Sequence, residues 1–341
     1  MNPLIYPLPI VDDNIKIEKD IIHFDILPAP KLIKYGFNSY LENFDPVDLI
    51  SVPNQRAIFN YDFLRKDEQS MAFLAIQKLG AKNFDQIFAE FWEIIMMFEF
   101  FEKDQTILTN YQDTLHNIIG TYKKLLGKRR NIKLLKDGRG NNISLVIYKF
   151  SEIDLEENAF IHLLINILPK LLSGQKKGSS MVLQIFGLQT EIMVELIYYL
   201  CSLYHNCYIM KPSVSSDLSN NKYLILISLK KPIKISLPKF PSDHYLISIG
   251  FSSSLPVSFT SVIQCMNSEF ISRKLKKYHE VKKFIESKIY EGATYQDLII
   301  RQNENAEKWF ELFGDPKKVR KIFEEIVGNV TTLCSIYLEK I

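Results

Sequence analysis

The chain has 341 residues, 47% of them hydrophobic and 24% charged. That much apolar surface offsets the entropy of ordering, which excludes a disordered chain, and 13 glycines and 14 prolines exclude a collagen-like or low-complexity one. The net charge of +3 is too weak to imply a nucleic-acid binder by itself.

Residues 1–60 are studded with proline (Pro3, Pro7, Pro9, Pro28, Pro30, Pro46, Pro53). Proline fixes φ and removes a donor, so this region reads as an irregular N-terminal arm of extended pieces. Leu4, Ile5, Tyr6, Leu27, Leu32, Ile33, Tyr40 and Leu41 are too apolar for a free tail, so the arm is expected to pack across a neighbouring domain. The start MNPLIYPLPIVDDN lacks the basic and long apolar stretches of a secretory signal.

Across 61–235 the pattern changes. Lys66–Leu79 and Asn83–Phe101 read as helices, the second with Phe84, Ile87, Phe91, Ile94 and Ile95 at helical spacing. This second helix is apolar nearly all round, which suits a core helix or one shared with a partner. Its window Phe91–Phe101 is too short for a membrane span and carries Glu93 and Glu99. Strands follow at Thr106–Thr109, Asn131–Leu135, Ile143–Tyr148, Ser180–Phe186, Cys207–Lys211 and Lys222–Leu229. Helices at Thr114–Leu126, Glu156–Leu172 and Thr190–Tyr204 lie between them. The alternation predicts an α/β fold, with a largely parallel, Rossmann-type sheet covered by helices on both faces. From 236 to 341 the alternation ends, and Phe259–Lys288, Tyr295–Phe313 and Pro316–Leu338 read as a helical C-terminal module.

Few constellations carry chemistry by themselves. Cys201, Cys207, Cys265 and Cys334 are widely spaced, which argues against a disulfide framework or zinc site and for a reducing, cytoplasmic setting. His23, His116, His162, His205, His244 and His279 have no metal-like spacing. No GxSxG elbow, HExxH or P-loop occurs. Asp154, Glu156 and Glu157 sit at a helix start, where carboxylates suit the dipole. The densest basic run is Lys123, Lys124, Lys128, Arg129, Arg130, Lys133, Lys136 and Arg139; within it Lys128, Arg129, Arg130 and Lys133 are candidate RNA contacts. A second basic group, Arg273, Lys274, Lys276, Lys277, Lys282 and Lys283, is interleaved with Glu280 and Glu286 and reads as a solvated helical face.

One ordered series is more specific. A strand ends in VLQIFG, the helix EIMVELIYYLCSLY follows, then come NCYIMKP, the Ser-rich loop SVSSDLSNN and the strand KYLILISLKKP. Lys211-Pro212, Ser215 and Tyr223 fall in register with the second half of an FtsJ-type RNA 2′-O-methyltransferase, which this segment resembles. The resemblance extends over roughly residues 140–235. That family's Lys-Asp-Lys-Glu tetrad lowers one lysine's pKa so that it deprotonates a ribose 2′-OH. Here the resemblance sets Gln184 at the strand lysine, Asn221 at the loop glutamate and Lys149 at the strand-end aspartate; the early lysine has no counterpart that the sequence identifies. Gln and Asn do not take up a proton at neutral pH. The cofactor turn would be TILTNYQDTLHNIIG, with no glycine before Gly120, and Gly138-Arg139-Gly140 reads as a plain turn. The chain therefore reads as a degenerate methyltransferase fold, a pseudoenzyme with no catalytic residues, cofactor or metal.

Tyr35–Leu41 (YGFNSYL), the helix end Cys201–Asn206 and the helical tail are also similar to the small regulatory subunit of the poxvirus mRNA capping enzyme. That resemblance implies a viral, non-catalytic subunit. It would form a heterodimer with a large catalytic capping subunit and stimulate its guanine-N7 methyltransferase, in the cytoplasm, a virion or a viral factory. Two alternatives are an active S-adenosylmethionine-dependent RNA cap 2′-O-methyltransferase and an RNA-binding scaffold.

Overall fold

Runs such as LVIY and YLILISL are apolar on both sides of the pleat, so they fold as strands covered from both faces. The computed structural model describes residues 3–11, 23–25, 67–81, 85–127, 130–136, 142–150, 157–233, 244–248, 255–286 and 293–338. Its strands are β1 (Leu4–Pro7), β2 (His23–Asp25), β3 (Gln105–Thr109), β4 (Ile132–Leu135), β5 (Ile143–Tyr148), β6 (Gln175–Ile185), β7 (Tyr204–Lys211), β8 (Lys222–Leu229) and β9 (Tyr245–Ser248). Its helices are α1 (Asp67–Lys78), α2 (Gln86–Met97), α3 (Gln112–Leu126), α4 (Glu157–Leu172), α5 (Glu191–Ser202), α6 (Val257–Glu286), α7 (Ala293–Phe313) and α8 (Pro316–Leu338).

The main sheet has the order β1-β7-β8-β6-β5-β3-β4, and β2 pairs with β9 in a separate ribbon. β3 pairs in parallel with β4 and β5, and β5 with β6. Parallel neighbours need a crossover, and α3 and α4 supply two of them. β8 runs antiparallel between β6 and β7, and β1 antiparallel to β7. Five strands therefore share one direction, and β8 and β1 oppose it. This is the largely parallel, Rossmann-type, methyltransferase-like sheet that the sequence predicts, with a reversed strand inserted near one edge.

Successive residues of each strand feed opposite cores. Met181, Leu183 and Ile185 of β6 and Leu224 and Leu226 of β8 pack with α4, α5 and the start of α6. Val182, Tyr223 and Ile225 face α1, α2, α3 and α7. Ala306, Trp309 and Phe313 of α7 and Val319 of α8 belong to that same second core, so the C-terminal helices share it with the sheet. Asp85 caps α2, its side chain accepting from Phe88 N at 2.7 Å. Residues Phe88–Met97 are buried beneath α1, α3, α7 and α8, so α2 is a core helix rather than one shared with a partner.

The arm's first residues pack as expected: β1 joins the sheet edge, with Ile5 and Tyr6 buried. Leu27, Leu32, Ile33, Tyr40 and Leu41 lie outside the described residues. β6 starts at Gln175, five residues before the expected start at Ser180. The buried Gln175 side chain explains this: it donates to Leu171 O at 2.8 Å and accepts from Ser179 Oγ and Tyr204 OH.

Candidate functional site

In an open α/β sheet, ligands bind beyond the carboxyl ends of the parallel strands. Lys149 follows β5, Gln184 lies near the end of β6, and Asn221 immediately precedes the reversed β8. The structure thus brings the three positions marked by the resemblance to one end of the sheet. Gln184 Nε2 donates to Asn221 Oδ1 at 3.0 Å, and Gln184 Oε1 accepts from Phe150 N at 2.8 Å. The strand-lysine and loop-glutamate positions are therefore joined as a neutral amide pair, and Gln184 is buried.

Lys149 has a carboxylate partner that the sequence did not reveal. Its Nζ lies 3.1 Å from Glu90 Oε2 and 3.2 Å from Tyr223 OH. Tyr223 OH donates to the same Glu90 oxygen, and Ser215 Oγ donates to Glu90 Oε1 at 2.7 Å. Burial and the Glu90 carboxylate hold the Tyr223 phenol well above its ordinary pKa. Glu90 projects from α2, upstream of the first parallel strand. At the strand-end position that the resemblance marks, this chain has a lysine, and it faces a glutamate of α2. The Glu90–Lys149 pair is buried.

One turn further along α2, Glu93 ties three segments together. It accepts from Ser213 N at 2.7 Å, Ser213 Oγ at 2.7 Å, Val214 N at 3.1 Å and Trp309 Nε1 at 2.7 Å. Burial pushes its carboxyl up to about 7, against the lowering effect of those donors. The cue to both glutamates was their i, i+3 spacing on an otherwise apolar helix. Such a helix buries a carboxylate only where donors await it.

The turn after β3 is where S-adenosylmethionine would be cradled. Asn110 Nδ2 donates to Lys149 O at 2.6 Å and Asn110 Oδ1 accepts from Lys149 N at 3.3 Å, so this side chain spans the ends of β3 and β5. Tyr111 N is taken by Thr109 Oγ1 at 3.0 Å, and the Tyr111 ring meets Phe91 edge to face. A cofactor pressed against this backbone would have to displace both side chains. The residues present do not fit the group.

Of the candidate RNA contacts, Arg130 and Lys133 are exposed at the start of β4, while Lys128 and Arg129 lie outside the described residues. Arg130 and Lys133 stand toward the opposite end of the sheet from Lys149, Gln184 and Asn221, because β4 runs parallel to β3 and hence to β5. Among the described residues, no group of three His, Cys, Asp or Glu could hold a metal ion. His116 and His162 each contact a backbone carbonyl.

No family model matches the chain. An uncharacterized protein, R383, of Acanthamoeba polyphaga mimivirus is 41% identical over 340 residues, covering 98% of this chain and 97% of the relative. The chain belongs to the R383 family. A Listeria monocytogenes structure assigned to the class I S-adenosylmethionine-dependent methyltransferases covers 53% of this R383-family chain and 70% of its own. It has 12% identity and a TM-score of 0.29. Among the described residues of this R383-family chain, no helix is long and apolar enough to cross a membrane.

Proposed function

We propose that this chain is a non-catalytic regulatory subunit that binds and stimulates an mRNA cap (guanine-N7) methyltransferase. The observation that carries the reading is the chemistry at the three positions that the resemblance sets in the family's proton-transfer tetrad, together with the Glu90 carboxylate that one of them meets. Gln184 and Asn221 pair as neutral amides, and Glu90 and Lys149 pair as buried ions. Amides neither take up nor release a proton at neutral pH. The Lys149 ammonium is engaged by Glu90 and Tyr223 instead of facing a substrate hydroxyl. A fold whose own centre is filled by internal bonds still offers a rigid body for docking, since function resides in sites and not in folds.

The partner is a large catalytic capping subunit, and the assembly is a heterodimer. Stimulation requires that this chain bind the partner's active conformation more tightly than its inactive one, which shifts the population. A viral relative fits a virus-encoded assembly that modifies transcripts in the cytoplasm or a viral factory.

Co-expression with the guanine-N7 methyltransferase subunit of the same virus tests this. The expected result is a 1:1 complex in light scattering and a rise in methyl transfer to guanosine-capped RNA of about ten-fold, the scale of ordinary allosteric coupling. No complex, or methyl transfer by this chain alone, overturns the proposal.

A further inference from the structure

From Lys123 to Lys136 the chain carries seven basic residues and no acidic one. The whole chain has 42 basic and 39 acidic residues, so outside this stretch there are 35 and 39: a net −4, against +7 within it. This is the densest basic stretch of the chain, and the remainder is net negative. Five of the seven, Lys123, Lys124, Arg130, Lys133 and Lys136, are described, and all five are exposed. Among the described residues, no carboxylate pairs with any of them.

The fold gathers these five at one flank. Lys123 and Lys124 occupy the last turn of α3, which Gly127 closes in a left-handed conformation. β4 is the terminal strand of the sheet, and before it Asp104 Oδ1 accepts from Asn131 N at 2.9 Å. The apolar residues of the stretch, Leu125, Leu126, Ile132, Leu134 and Leu135, are half-buried against the two cores. Apart from Asp104, the exposed charged side chains here are cationic, and the described residues of the stretch include no aromatic ring.

That chemistry selects the partner. Protein interfaces centre on apolar and aromatic residues and are depleted in lysine. A polyphosphate backbone is held by exposed Lys and Arg through counterion release, with no apolar contact required. Without aromatic rings to stack bases, the contacts go to phosphates and carry no sequence information.

We propose that this flank, from the last turn of α3 through Arg130 to Lys136, binds RNA by its phosphate backbone without regard to sequence. Arg130 precedes the amino end of β4, and Lys133, paired with Thr106, lies five strand residues short of the level of Lys149, roughly 16 Å along the strands at about 3.3 Å per residue; Lys136 follows the other end of β4 on the same edge. RNA held there is displaced from this chain's own carboxyl-end cluster and is available to a catalytic centre on another subunit. Only that last step rests on the regulatory-subunit reading.

The test is fluorescence anisotropy of a labelled 20-nucleotide uridine RNA titrated with the full chain alone, between about 50 and 200 mM salt. Five phosphate contacts give a slope of log K against log salt near −3.5, at about −0.7 per contact on a single strand. Arg130→Glu with Lys133→Glu is expected to reduce the slope by about 1.4 and to weaken binding at least ten-fold. Lys317→Glu with Lys318→Glu, exposed on α8, is expected to change little. Circular dichroism checks that both variants fold. A slope shallower than about −1, equal weakening by both variants, or equal competition by polyglutamate, which would indicate an acidic protein, overturns the proposal. Because the chain is measured alone, failure here leaves the capping partnership standing, and failure to stimulate a partner leaves the RNA surface standing.

Discussion

Trp92 and Trp309, the chain's two tryptophans, donate their indole N–H groups across one helix–helix contact in opposite directions. Trp92 of α2 donates to Phe313 O of α7 at 3.0 Å, and Trp309 of α7 donates to Glu93 of α2 at 2.7 Å. Both rings are buried, so each N–H needs an acceptor inside the protein. α7 is thereby pinned to the helix that carries both site glutamates. Intrinsic fluorescence of this protein reports on that contact.

Trp309→Phe keeps most of the packing and removes one donor from a buried carboxylate. The expected loss is about 2 kcal/mol, the scale of a hydrogen bond to a charged group. Urea unfolding followed by circular dichroism measures it. A loss under about 0.5 kcal/mol would mean that Glu93 does not depend on the indole.

Glu93 makes stability depend on pH. Its folded pKa is raised from 4.5 to about 7, so the folded chain holds the proton more tightly than the unfolded chain does. The stability tied to that proton is fully present below pH 4.5 and is lost as pH rises to 7 and beyond. The scale is about 3 kcal/mol, because each tenfold gain in proton affinity is worth about 1.36 kcal/mol. Burial also raises Glu157, which contributes in the same direction. The difference between wild type and Glu93→Gln therefore isolates Glu93. Urea midpoints from pH 5 to 8 should fall more steeply in wild type, and parallel curves would contradict the assignment.

What was legible in the sequence follows from where the signal is local. β5 and β8 span the predicted residues because their apolar runs are continuous and bounded by polar turns. β1 read only as a packed extended piece, since the strand it pairs with lies some 200 residues away and four residues carry no periodicity. The β2–β9 ribbon escaped for the same reason. Lys149, Gln184 and Asn221 were legible as positions in an ordered series of elements. Their bonding was not, because Glu90 sits on a helix outside that series and its role appears only when α2 is laid against the sheet. Trp309 was invisible as a partner of Glu93, for a helical pattern does not say which helix it meets.

The buried ion pair is testable by exchange. Glu90→Lys leaves two ammonium groups facing each other in the core and should cost about 3–5 kcal/mol, the scale for breaking a buried pair. Adding Lys149→Asp restores opposite charges and should recover most of the loss. Thermal and urea unfolding of the two single variants and the double variant give the coupling energy. Additive losses would show that the two side chains do not act as a pair.

The amide pair has its own signature. Gln184→Leu keeps the volume roughly but leaves the Phe150 N–H without its acceptor, at an expected cost of about 1–3 kcal/mol. Hydrogen exchange at the Phe150 amide should speed up together with the loss of stability. Unchanged exchange there would contradict the bond to Gln184.

The most direct measurement of the central claim is calorimetric titration of the purified chain with S-adenosylmethionine, with and without capped RNA. A turn bridged by Asn110 and a centre filled by Glu90–Lys149 and Gln184–Asn221 predict no binding even at millimolar cofactor. Saturable binding in the micromolar range would contradict the account and reopen the search for a catalytic lysine.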